Sequence, residues 1–138
     1  MSEAVTALQE LLVQAKAAAQ AGHADDALAG FSAAVAAAPN DPSAHLQYGM
    51  FLYQSGDVEG ALLRLQQVVD LDPASIDAGS NLGAINFSLG RWEAASNSFH
   101  RLIEKYPDDA RFPNNVGNIR FEQGDYTGAA EYYEVAAK

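Results

Sequence analysis

The chain has no cysteine. Disulfide staples, thiolate catalysis and cysteine metal sites are excluded with it, while the redox compartment stays open. Basic residues are scarce: 8 Lys and Arg stand against 18 Asp and Glu, for a net charge of −10. Nucleic acid and anionic lipid both need a cationic footprint, so neither is expected as a partner. The deficit is even along the chain. Residues 1–69 carry 7 acids and 2 bases, residues 70–138 carry 11 and 6, and each half is −5. No acidic tail or basic arm stands out. There is no run of 18 apolar residues, so no membrane insertion is expected. The opening Met1-Ser2-Glu3 has no basic n-region, and Lys16 and the Gln residues interrupt Leu11 to Ala21. This is no signal peptide, and a cytoplasmic chain is expected. At 138 residues and 49% hydrophobic, the chain can bury a sizeable core, and residues 1–138 are expected to form one domain.

Catalytic constellations are also missing. His23 falls in a turn, and His45 and His100 share no spacing with it. A metal site is not expected from them. The carboxylates gather where helices start and stop (Asp25, Asp26, Asp41, Asp57, Asp72, Asp108, Asp109 and Asp125). That distribution is helix capping rather than acid/base pairing. Ser75, Ser80, Ser88, Ser96 and Ser98 have no His or Lys at a useful spacing, so no activated nucleophile is expected. Asn86-Phe87-Ser88 matches a glycosylation sequon but falls inside a helical stretch. No enzyme activity and no cofactor are expected.

What is present is a period. Gly22, Gly56, Gly90 and Gly124 are each 34 residues apart, as are Ala27, Ala61, Ala95 and Ala129, and Pro39, Pro73 and Pro107. Phe31, Leu65, Phe99 and Tyr133 form a large-apolar ladder, and Ala15, Gly49, Gly83 and Gly117 a small one. A repeat of this length is one supersecondary unit that buries its apolar face on its neighbours. Each unit reads helix, turn, helix. In the second, Asp41-Pro42 opens a helix as N-cap and first-turn proline. Gly56 closes it, being free to take the left-handed C-cap conformation. Asp57 caps the next helix, whose apolar stripe is Ala61, Leu62, Leu65, Val68 and Val69. Asp72-Pro73 ends that one, since proline biases its predecessor away from the α region. The spacing predicts helices over 3–21, 24–38, 42–55, 58–71, 76–89, 92–105, 111–123 and 126–137. Short loops make successive helices antiparallel. Gly49 with Ala61, and Gly83 with Ala95, are expected where paired helices cross closely. Pro113 lacks an N–H, so helix seven is expected to start late or irregularly. Trp92 is expected in the core.

These ladders resemble the tetratricopeptide repeat family. The resemblance implies an all-α, right-handed α-solenoid of antiparallel helix pairs, with four 34-residue units at 8–41, 42–75, 76–109 and a truncated 110–138. Departures are the Ala-rich first helix, and Gly79 and Pro113 where the family prefers a large apolar residue. The chain ends at Lys138 without the polar capping helix the family usually adds, which suggests an excised domain or an end face that stacks on another chain.

In this family the first helix of each unit lines a concave face. Tyr53, Phe87 and Phe121 are 34 apart and would form an aromatic rail on it; the alternative is that they only pack between helices. Gln47, Asn81 and Asn115 share the same spacing. Leu46 and Met50 join them in unit two, Asn114 and Asn118 in unit four, and Lys16 and Gln20 in unit one. An Asn amide holds a backbone N–H and C=O together, and aromatics add apolar contact at low entropy cost. Arg111 could take a carboxylate, although Asp77 and Arg111, also 34 apart, read better as a structural pair. One subfamily grips acidic chaperone tails with Lys, Asn and Arg. Asn81 and Arg111 resemble two of those residues, but Leu46, Met50 and Asn115 break the set. The expectation is a non-catalytic module that binds a peptide segment of a protein partner in its groove. Its alternative is a scaffold that self-associates through its ends or groove.

Overall fold

A computed structural model describes residues 3–138; Met1 and Ser2, on which part of the leader reading rests, lie outside the described residues. Among the described residues there are eight α-helices and no strand: α1 (Glu3–Gln20), α2 (Ala24–Ala37), α3 (Pro42–Gln54), α4 (Val58–Leu71), α5 (Ile76–Ser88), α6 (Trp92–Lys105), α7 (Arg111–Glu122) and α8 (Tyr126–Ala137). Every expected helix is present, with ends displaced by no more than one residue. No described helix is long and apolar enough to cross a membrane.

Two kinds of punctuation set these lengths. After α1, α3, α5 and α7 the chain turns through Gly22, Gly56, Gly90 and Gly124, at φ +81°, +92°, +73° and +83°. At Gly56 the turn is closed by Gly56 N–H donating to Tyr53 O (3.1 Å) and Asp57 N–H to Leu52 O (2.9 Å). That pair of bonds is a Schellman closure, and it satisfies two of the carbonyls a helix end leaves open. After α2, α4 and α6 the stop is proline. Ala38, Asp72 and Tyr106 precede Pro39, Pro73 and Pro107 and take φ of −141°, −141° and −132°, outside the α region as the ring demands. Asp41, Asp57, Ser75 and Asp125 cap the following helices by accepting from Ala44, Gly60, Ala78 and Gly128 N–H.

Helix α7 starts irregularly, as expected, but not late. It begins at Arg111, with Pro113 buried in its first turn. The first four N–H groups of a helix have no intrahelical partner, so the missing proline N–H removes nothing there. The irregularity is confined to Ala110, a helical-φ N-cap that offers no side-chain bond.

By contacts the chain divides into two compact units, Met1–Asp72 and Pro73–Lys138. In the first, α1 packs on α2, α3 on α4, and α2 on α3. Its core centres on Phe31, 2% exposed, with Leu12, Leu52 and the fully covered Ala27, Ala44 and Ala61 around it. The Phe31 ring lies 6.2 Å from Tyr48 and 5.2 Å from Phe51. In the second, α5 packs on α6, α7 on α8, and α6 on α7. Phe99, Leu102, Phe112, Val116 and Ile119 form that core, with Trp92 half-buried against it. The glycine ladder sits where expected. A Cβ on Gly49 would stand 3.2 Å from Arg64 Cβ, and on Gly83 2.6 Å from the Phe99 ring.

Candidate protein-interaction site

In the first unit, Ala15 of α1 lies against Gly30 of α2 and Gly49 of α3 against α4, and α1 also touches α3. Between them opens a cavity of about 340 Å³. Five of the expected face residues line it: Lys16 and Gln20 from α1, and Leu46, Gln47 and Met50 from α3. Ala19, Gln54, Phe51 and Phe31 complete the wall and were not among the expected residues. The floor is apolar and the rim carries three amides and one ammonium. Gln47 Nε2 donates to Ser43 Oγ at 3.0 Å, which fixes the amide, while its Oε1 is buried without a hydrogen-bond partner. Tyr53 is 41% exposed and lies off this cavity.

In the second unit the expected residues divide. Phe87, Asn115 and Asn118 meet around a smaller pocket of about 110 Å³, with Ala84 and Phe99. Asn118 Oδ1 already accepts from the Tyr133 hydroxyl at 2.7 Å. Phe87 is half-buried and meets Trp92 edge to face at 5.5 Å. Phe121 is 52% exposed and leans on Tyr126 at 5.1 Å. Each of these contacts spans the glycine turn, from the last residues of one helix to the head of the next. Asn81 is half-buried, and Asn114 and Asp77 are exposed. None of the three lines either cavity.

The expected Asp77–Arg111 pair is corrected. Arg111 binds Asp109, with Nη2 to Oδ2 at 2.6 Å and Nε to Oδ1 at 3.0 Å. The same carboxylate accepts the Arg111 backbone N–H at 3.1 Å. A carboxylate two residues upstream can reach both groups at once; the 34-residue interval marks equivalent positions, not contact. The Arg111 hydrogen bonds hold the Asp109 carboxyl below its ordinary value, and the carboxylate raises the guanidinium in return.

Histidines do not converge. His45 is 3% exposed and bonds through Nε2 to Pro39 O at 2.7 Å. A carbonyl can only accept, so Nε2 carries the proton. His100 packs on the Tyr132 ring at 5.8 Å, and His23 is exposed. Among the described residues no three His, Asp or Glu could hold a metal ion.

The tetratricopeptide repeat model matches residues 12–76 and 83–138. The chain belongs to the tetratricopeptide repeat family. Solved structures agree on the fold. A crystal structure of MamA superposes with a TM-score of 0.82 at 22% identity, covering 94% of this chain and 76% of that one. A second MamA structure gives 0.81 at 22% identity, covering 94% and 70%. A tetratricopeptide repeat protein from Parabacteroides merdae ATCC 43184 gives 0.83 at 17% identity, covering 94% of this chain and 52% of its own. No curated protein sequence matches. Tetratricopeptide repeats make protein–protein interaction modules, and this chain is one by family.

Proposed function

We propose that the module binds a peptide segment of a partner protein through the first helices of its pairs, without catalysing a reaction. The observation that carries this reading is the cavity between α1 and α3, where Leu46, Met50 and Phe51 offer an apolar seat beside Gln20, Gln47 and Lys16. A seat of about 340 Å³ is at the lower end of ligand pockets and takes one or two side chains rather than a whole domain. In the second unit Asn115 and Phe87 supply the same chemistry around a smaller pocket. The module acts as an adaptor.

The test is capture from source-cell lysate with the unmodified chain, Met50→Glu, and the Asn81→Ala/Asn115→Ala double variant. A protein retained by the first and lost from the variants, with helical circular dichroism unchanged, supports the reading. Retention by all three sinks it.

Self-association is the second reading. It is favoured by the apolar exposure of α8, where Tyr126 is 63% and Val135 54% exposed. Light scattering over a concentration series separates the two, since a strict monomer at high concentration counts against assembly.

A further inference from the structure

A second cavity in the first unit, also about 340 Å³, lies against α2 and α4 and shares no residue with the groove seat. Its polar side is Arg64 and Gln67 of α4, and its apolar side is Val35, Pro39 and Leu71. Arg64 is the only base in residues 21–90. Its guanidinium is held over the Tyr48 ring at 4.8 Å and donates Nη1 to Gln67 Oε1 at 3.0 Å. The contacts the structure gives it are a ring and an amide, neither of them a carboxylate, in a chain where acids outnumber bases 18 to 8. Arg111 and Arg120, by contrast, face Asp109 and Asp125. A ring and an amide orient the guanidinium without neutralising it, and its planar fork of donors matches a carboxylate. Because Arg can only donate, the bond also fixes the Gln67 amide, leaving its Nε2 donors without a partner among the described residues.

The repeat supplies an internal control. Scaffold positions recur every 34 residues, but the positions equivalent to Arg64 hold Gly30, Ser98 and Tyr132. Those equivalent to His45, which walls the same cavity, hold Leu11, Gly79 and Pro113. Neither residue is demanded by the helix-pair framework, since three other units dispense with it.

We propose that this cavity binds a single carboxylate carried on a short aliphatic group. The carboxylate sits on Arg64 with Gln67 Nε2 as second donor, and the aliphatic body lies on Val35, Pro39 and Leu71. Asp70 lines the same cavity and accepts from Gln66 Nε2 at 2.9 Å; it repels any anion, but a dianion more than a monoanion, and so favours a single carboxylate over phosphate. A protein C-terminus ending in an aliphatic residue and a free aliphatic acid share this chemistry.

The test is titration of the ¹⁵N-labelled chain with N-acetyl-leucine and with N-acetyl-leucinamide, followed by amide shifts. The acid is expected to move Val35, Gln67 and Leu71 resonances and to bind at least about tenfold more tightly than the amide, since only it pairs with the guanidinium. Arg64→Gln is expected to erase that difference, and circular dichroism reports whether the variant folds. Equal binding of acid and amide to the unmodified chain overturns the proposal even if the variant fails to fold. So do shifts confined to Leu46 and Met50, equal binding of inorganic phosphate, or no shift at all. A leucine-ending octapeptide that binds more tightly than isovalerate assigns the site to chain termini; the reverse order assigns it to small acids.

Discussion

Side chains in the turns are coupled in pairs that composition does not reveal. Asp57 Oδ1 accepts from Gly60 N–H at 2.9 Å, and Asp125 Oδ1 from Gly128 N–H at the same distance. A Cβ on Gly60 or Gly128 would collide with the capping carboxylate. The units whose caps are His23 and Arg91 carry Asp26 and Ala94 at the glycine position. Asp57→Ala is expected to cost about 1 kcal/mol as a lost cap. Gly60→Ala makes the Asp57 carboxylate shift towards the arrangement in which Asp41 caps Ala44, and gains its full helix propensity of up to about 1 kcal/mol only once Asp57 is gone. A urea-denaturation double-mutant cycle reads this as a coupling of up to about 1 kcal/mol, whereas additive effects would refute the pairing. The Asp109–Arg111 pair makes a second residue-level prediction. Its carboxyl is lowered in the folded chain, so its contribution is present above the unfolded value and lost as pH falls through the folded one. Arg111 is exposed and Asp109 only half-buried, so solvent screening keeps the contribution small. Arg111→Ala is expected to move the Asp109 midpoint upward in a carboxyl NMR titration. An unmoved midpoint would mean the pair does not form in solution.

At the scale of helices, the glycines at close crossings differ in what opposes them. A Cβ at Gly83 meets the Phe99 ring, which is 4% exposed and has nowhere to move. At Gly117 it meets the Tyr133 ring at 2.5 Å, but that ring is only half-buried. At Gly49 the nearest atom is farther, at 3.2 Å. Overpacking costs about 1–3 kcal/mol. Gly83→Ala is expected near the top of that range, with Gly117→Ala and Gly49→Ala below it. Urea midpoints of the three variants check the order. The helices themselves were legible in the sequence because each signal recurred: Gly with positive φ, Pro after an extended residue, Asp before a first turn. What the rail reading missed, and its packing alternative named, was contact across the turns. Phe87 meets Trp92, and Phe121 meets Tyr126, five residues on. A helical period treats such residues as belonging to different faces, so the rail reading could not foresee them. Pro113 pointed to an irregular start, found at Ala110, but not to a late one, because a proline in the first turn removes no intrahelical bond.

Across the whole molecule, family and helix pairing were legible and the lining of the α1–α3 cavity only partly so. Lys16, Gln20, Leu46, Gln47 and Met50 were found by position and do share one cavity. Phe31 and Phe51 were not, because a ring's reach depends on how closely its helix approaches the next. Equivalent positions also misled: Asp77 and Arg111 share an interval but not a contact. The four glycine turns recur throughout the chain, and at Gly22, Gly56 and Gly124 nothing lies within 4 Å of an added Cβ. Only backbone handedness therefore opposes a side chain there. An l-alanine is expected to cost about 1–2 kcal/mol at each. A d-alanine prefers this very mirror region and narrows the unfolded ensemble, so it should stabilise by about 0.4–1 kcal/mol per site. Effects at such separated sites add within about 0.5 kcal/mol. A chain of l-amino acids thus carries, at intervals of 34 residues, places where the opposite enantiomer is the better fit, and its stability should rise stepwise as they are filled.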